Sequence, residues 1–211
     1  MDIAAMSQKL AGYLRAQLVL TDNDEAVLAY SIHSLVTGTI SIIAIIIVGW
    51  FLGVLKLAVT AAFTAGGLRM ASGGAHSTRA LNCTILGMVI SPGIAFLVKH
   101  LLADLPGSGL IYLCIFTALV ALTAIRKYAP ADTPNKPITN PVQRRQLRRI
   151  STGLVILWLA VVLFTTIRHK IGLQPYLTAS ALSIIWQSFS LTPIGYRAMA
   201  GFDRLMPKGK H

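Results

Sequence analysis

The chain has 211 residues, 55% of them hydrophobic and 12% charged, about half the roughly 25% charged content of a soluble domain, and its mean hydropathy is +0.67. These values exclude an ordinary water-soluble domain and point to an integral membrane protein. On a soluble chain the net charge of +12 would suggest a nucleic-acid partner, but no aromatic–basic motif or basic groove pattern accompanies it, and nucleic acid is set aside.

A single all-α, polytopic membrane domain over residues 1–211 is expected, with about six transmembrane helices inside 27–191. Residues 1–24 hold no compact apolar core followed by a small-residue cleavage site, so no signal peptide is expected. Ile3, Met6, Leu10, Tyr13, Leu14 and Leu18 recur at helical spacing opposite Ser7, Lys9, Arg15 and Gln17, which predicts an amphipathic helix lying in the membrane interface. Thr21 or Asp22 then caps a helix whose apolar part runs from Val27 to Leu52. A tight hairpin at Gly53 leads into a second span, Val54 to Leu68, short for the roughly 20 residues a crossing needs.

The third span covers Asn82 to Leu101 with Pro92-Gly93 inside it as a kink, and the fourth covers Leu110 to Ile125. Residues 126–149 read as a basic cytoplasmic loop that carries Pro130, Pro134, Pro137 and Pro141 and is not helical before Pro141. The fifth and sixth spans are Ser151 to Ile167 and Pro175 to Leu191, and residues 196–211 form a basic tail. With the N-terminus inside, fifteen of the 19 Lys and Arg fall on one side of the bilayer, so the positive-inside rule accounts for the charge and puts both termini in the cytoplasm. No internal repeat is evident, which weighs against an inverted-repeat transporter.

Between the second and third spans lies Arg69-Met70-Ala71-Ser72-Gly73-Gly74-Ala75-His76-Ser77-Thr78-Arg79-Ala80-Leu81-Asn82-Cys83. Two arginines, a histidine and a thiol are costly in hydrocarbon without partners or water. On one unbroken helix His76 and Cys83 would stand roughly 10 Å apart along the axis, whereas a base must approach the thiol it activates to about 3 Å. Cooperation therefore requires a break. Gly73-Gly74 supplies a flexible backbone, and Ser77, Thr78 and Asn82 are each acceptable caps for a helix restarting before or at Cys83. A thiol in that first turn, with Arg79 nearby, is favoured as thiolate. The plainer reading makes His76 an interfacial side chain and Cys83 a packing residue. Cys114, in an apolar run, reads as a small buried hydrophobe. No H-E-x-x-H, paired Cys/His pattern or G-x-S-x-G occurs, so neither a metal site nor another cofactor is expected.

Arg69-x-x-x-Gly73-Gly74-x-His76 followed by Cys83, together with Ala129-Pro130-Ala131-Asp132-Thr133-Pro134-Asn135-Lys136-Pro137-Ile138, resembles the AgrB (accessory gene regulator B) family. The likeness extends to the N-terminal amphipathic helix, the Asp22-Asn23-Asp24-Glu25 run and Ser190-Leu191-Thr192-Pro193. It implies a membrane cysteine endopeptidase of Gram-positive quorum sensing, working as a homodimer in the cell membrane. Its substrate would be a small AgrD-like propeptide, whose C-terminal tail it removes on the way to a cyclic thiolactone. The same likeness implies Cys83 as nucleophile and His76 as general base.

Further roles stay open at the level of sequence. Asp132 and Asn135 orient His76 if the central loop folds back over it, or else form a turn. Gln187 or Ser188 serves as an oxyanion donor, or Gln187 is a packing amide. Arg69 is a structural or substrate-carboxylate anchor, because its proton does not leave. Lys136, Arg144, Arg145, Arg148 and Arg149 would attract an acidic propeptide tail, or else serve lipid contact and topology. The alternative of another class is a peptide or small-molecule transporter without covalent chemistry.

Overall fold

Capping residues and glycines divide the apolar runs into eight α-helices among the described residues. The computed structural model describes residues 3–18, 21–75, 77, 80–103, 105–131, 140–168 and 171–206, with backbone only at Asp22, Asn23, Ala80 and Ile171. The helices are α1 (Ile3–Leu18), α2 (Asp22–Phe51), α3 (Leu55–Ser72), α4 (Ala80–Leu101), α5 (Gly107–Tyr128), α6 (Pro141–Ile167), α7 (Gln174–Ser190) and α8 (Pro193–Leu205), with a single 3-10 turn before α7. The expected all-α class holds.

Local chemistry explains the boundaries. Thr21 and Asp24 form a reciprocal capping box at the start of α2. Gly53, at φ +65°, turns the chain between α2 and α3, and Lys99 Nζ donates to the Gly53 carbonyl at 3.1 Å. Asn140 caps α6 by accepting from the Val142 N–H at 2.9 Å, and Pro141 stands at the first helical position, where its missing N–H costs nothing. Thr192 does the same for α8, accepting from the Gly195 N–H at 3.1 Å with Pro193 behind it.

Four described helices, α2, α4, α5 and α6, are long and apolar enough to cross a membrane, against the six expected. The other two segments expected to span form helices, α3 and α7, of 18 and 17 residues. At about 1.5 Å per residue they fall short of the roughly 30 Å hydrocarbon core. Helix α3 packs on α2, α4, α6 and α7, and α7 packs on α3, α4, α5 and α8. Most of α7 is buried against these neighbours, whereas α3 keeps Phe63 and Met70 exposed. Accordingly α7 buries Thr178, Ser180, Ser183, Gln187, Ser188 and Ser190. Ser180 accepts from Trp158 Nε1 of α6 at 2.9 Å, and Ser183 donates to the Ala179 carbonyl of its own helix at 2.9 Å, so its hydroxyl is satisfied.

Around α3 and α7 the core uses small and branched residues. Leu68, Ala118, Ala121, Ile125, Val155, Ile184 and Leu191 form one buried cluster joining α3, α5, α6 and α7, and Ile45, Val54, Ala58 and Ala95 form another between α2, α3 and α4. Helix α1 packs on α2 through buried Ser7 and Ala11 and an Arg15–Glu25 ion pair of 2.7 Å. Leu10, Tyr13 and Leu18 remain exposed, as on a helix lying in an interface.

Two expectations at the basic ends change. The segment read as a loop from 126 to 149 is narrower, because α5 continues to Tyr128 and α6 starts at Pro141. The basic side chains there ride on helix ends, where an excess of Lys and Arg does not oppose helix formation. The segment read as a tail from residue 196 is largely α8, which Thr192 and Pro193 initiate.

Candidate functional site

The break in the helix between Arg69 and Cys83 forms where the sequence places it. Helix α3 ends at Ser72, the chain leaves helical geometry at Gly73, and α4 begins at Ala80. Both glycines are required. Gly73 and Gly74 have φ of +69° and +138°, a region that L side chains rarely adopt. A Cβ on Gly73 would overlap the Ala131 carbonyl, and one on Gly74 would meet Ser190 Oγ at 2.6 Å.

Two segments hold the turn from opposite sides. On one side the chain after α5 folds back: Ala131 N–H donates to the Ser72 carbonyl at 2.9 Å, and Gly73 and Ala131 pair as an isolated parallel bridge. Arg148 Nε donates to the Ala129 carbonyl at 2.8 Å and Arg144 Nη2 to the Pro130 carbonyl at 3.5 Å, so two of the cluster's arginines brace this fold-back. Arg145 and Arg149 are exposed.

On the other side stands the end of α7. Gln187, 1% exposed, donates from Nε2 to the Gly73 carbonyl at 2.7 Å and to Ser72 Oγ at 3.1 Å. Its Oε1 accepts from Arg69 Nη1 at 3.4 Å and from Ser190 Oγ at 3.2 Å. Both hydrogens of the amide are engaged with the turn, which makes Gln187 a clamp on the backbone. Arg69 Nη2 donates to the Ala75 carbonyl, and the Ala75 N–H donates to the Ser190 carbonyl at 2.9 Å. Ser188 is buried and donates to the Ile184 carbonyl of its own helix at 2.7 Å, away from the turn.

Cys83 is half-buried and free of disulfide, and stands at the fourth position of α4. Its Sγ accepts a hydrogen bond from the Ser77 backbone N–H at 3.4 Å. Ser77 is the residue after His76 in the chain, so the turn brings the polypeptide beside the sulfur immediately past the histidine. His76 itself, Asp132, Asn135, Lys136, and the expected caps and neighbours Thr78 and Arg79 lie outside the described residues. Asn82 is not the cap of α4, which starts at Ala80; it is 4% exposed and its side chain points across to α8.

One residue of this neighbourhood was missed from the sequence. Asp203 of α8 accepts from Ser77 Oγ and from Asn82 Nδ2 at 2.8 Å. A signal for it exists: Asp203 is the only acidic residue after Asp132, isolated in a strongly basic stretch. Among the described residues no group of three or more His, Cys, Asp or Glu could hold a metal ion.

What the site can do follows from these contacts. It offers a half-buried thiol whose sulfur accepts a backbone N–H. The turn that carries it is held on one side by the backbone of Ala131 and on the other by buried Gln187 and Ser190.

A model of the family described as accessory gene regulator B matches residues 7–191. An AgrB-like protein 2 of Clostridium perfringens strain 13 is 29% identical, covering 98% of this chain and 99% of its own. An AgrB-like protein of Clostridium perfringens strain SM101 is 28% identical with the same coverage, and one of Listeria innocua is 22% identical over 92% of this chain and 90% of its own. No solved structure matches the chain.

Proposed function

The chain belongs to the accessory gene regulator B family, and from that membership we propose that it is a membrane cysteine endopeptidase acting on a small AgrD-like propeptide. Cys83 is the nucleophile and His76 the base that takes its proton. The thiolate attacks the scissile carbonyl, the C-terminal tail of the propeptide leaves with the proton, and the remaining peptide stays on Sγ as a thioester. A cysteine of the bound peptide then displaces Cys83. Thioester-for-thioester exchange needs little driving force, so water must be kept from the acyl group until the ring closes. The product is a cyclic thiolactone used as a quorum-sensing signal.

The observation that carries this reading is the Ser77 N–H on Cys83 Sγ at 3.4 Å, across a helix broken by two glycines that nothing larger could replace. A packing cysteine has no need of such a turn. Gln187 and Ser190 hold the turn that places Ser77 on the sulfur. The distribution of Lys and Arg supports a cytoplasmic site with both termini on the same side. Exposed Arg145 and Arg149, with Lys136, suit an acidic propeptide tail, and an amphipathic propeptide would reach the site along the bilayer surface. Function as a homodimer, and action on peptide with no nucleic acid involved, belong to the same proposal, as do Asp132 and Asn135 as groups orienting His76.

The test is co-expression with a short amphipathic peptide bearing a central cysteine and an acidic tail. Mass spectrometry should find the tail released by the wild-type protein, with release lost in Cys83→Ala and His76→Ala although both still insert in the membrane. Full activity in Cys83→Ser would instead favour a transporter.

A further inference from the structure

The C-terminal helix crosses the broken segment, and its one acid bonds both to the residue after His76 and to the residue before Cys83. From this juxtaposition we infer that Asp203 is a positioning residue for the thiol: it fixes the Ser77–Asn82 turn and thereby sets where Sγ of Cys83 stands. The inference rests on the peptidase reading given above and adds to it a residue on a helix beyond the matched family region, which ends at residue 191.

Helix α8 packs chiefly on α7, and its apolar Ile194 and Leu205 are exposed, at 65% and 84%. Met199 and Phe202 are partly buried, and polar contacts tie the far end of the helix to α4. Gly195, in its first turn, lies close against the backbone of Phe189 and Ser190 at the end of α7. Asp203 lies eight residues further on, about 12 Å along the helix axis, and meets Ser77 and Asn82. The helix thus spans from the end of α7 to the broken segment.

Asp203 bears on the sulfur through Ser77 and Asn82, two donors among the described residues. Asn82 is almost fully buried, and its Nδ2 donates to the carboxylate at 2.8 Å. A bond from a buried amide to an ionised acceptor is stronger than one between neutral groups. Asn82 immediately precedes Cys83 in the first turn of α4. Ser77 donates to the same oxygen through its hydroxyl and to Cys83 Sγ through its backbone N–H. One carboxylate oxygen therefore fixes both walls of the gap in which the sulfur sits.

Full-length protein in lipid nanodiscs, assayed with synthetic propeptide, tests the inference with Asp203→Ala and Asp203→Asn. Misplacing a reacting atom by about 1 Å costs on the order of 100-fold. Asp203→Ala is therefore expected to lower kcat by about that factor with KM unchanged, and to alter the alkylation rate of Cys83 by iodoacetamide in the absence of peptide. Asp203→Asn keeps an oxygen acceptor in place and should recover most of the loss. The inference is overturned if Asp203→Ala has wild-type kcat and alkylation rate, if its KM rises at constant kcat, or if Asp203→Asn falls as far as Asp203→Ala. Failure of the peptidase reading looks different: the wild-type protein itself would release no tail, while the alkylation rates of the wild-type and Asp203→Ala proteins would still report whether Asp203 positions the sulfur.

Discussion

The backbone N–H of Ser77 donates over 3.4 Å to Sγ of Cys83, six positions further along the chain. On a continuous helix six residues advance about 9 Å, so the contact exists only because α3 stops at Ser72 and α4 restarts at Ala80. The sulfur is half-buried here, and the remaining cysteine, Cys114, is fully buried in α5. A maleimide applied to the folded protein should therefore modify Cys83 and leave Cys114 unmodified until the protein is denatured. Peptide mapping after labelling reads the two sites directly.

Substituting either glycine should be more damaging than its size suggests. Gly73→Ala would push a methyl group into the Ala131 carbonyl, and Gly74→Ala would strain a φ of +138° while crowding Ser190 Oγ. Residues forced into such backbone conformations cost about 1–3 kcal/mol each before any clash. Each variant should lower the thermal midpoint in detergent and remove propeptide cleavage. Gly66→Ala serves as the control, since a Cβ there meets nothing within 4 Å.

Gln187 offers a prediction about buried polar groups. Replacing it with Leu keeps a similar volume but leaves the Gly73 carbonyl, Ser72 Oγ and Arg69 Nη1 without the partner each now has. An unsatisfied buried group costs about 1–3 kcal/mol, so Gln187→Leu should destabilise by about 2 kcal/mol or more in denaturant titration. Gln187→Glu retains acceptors for Arg69 but loses the two amide donations, and should fall between Leu and wild type.

The ion pair that ties α1 to α2 should matter far less. Arg15 and Glu25 meet at 2.7 Å, but their side chains are 42% and 30% exposed, and pairs of this kind are worth about 0–1 kcal/mol. Glu25→Gln is expected to leave the thermal midpoint and the cleavage rate close to those of the wild type. The same unfolding and cleavage assays check it.

The sequence makes the helix order, the Gly53 hairpin, the Thr21 cap and the break after Gly73-Gly74 legible because each depends on neighbours in the chain. A glycine pair between apolar runs, or a threonine before acids, acts locally. The number of spans was less legible because α3 and α7 are defined by what surrounds them. Helix α7, packed on α3, α4, α5 and α8, needs neither full length nor high hydropathy, and nothing in Leu55–Ser72 or Gln174–Ser190 alone announces which helices pack around it. The clamp from Gln187 to Gly73 and the docking of Ala131 likewise join residues far apart in the chain. Helix α8 was hidden for a different reason. Arg197, Arg204, Lys208 and Lys210 gave the terminus the look of a topogenic tail, although Thr192-Pro193 followed by Ile194, Met199, Phe202 and Leu205 carries a helix start and an apolar face.

The central claim is that Cys83 becomes acylated by the propeptide. The most direct measurement is intact-protein mass spectrometry after single-turnover mixing with propeptide and acid quench, followed by mapping of the adduct. The account predicts a mass increase equal to the propeptide without its tail, located on Cys83, removed by neutral hydroxylamine and missing in Cys83→Ala. Tail release by Cys83→Ala, or an adduct on any other residue, would contradict it.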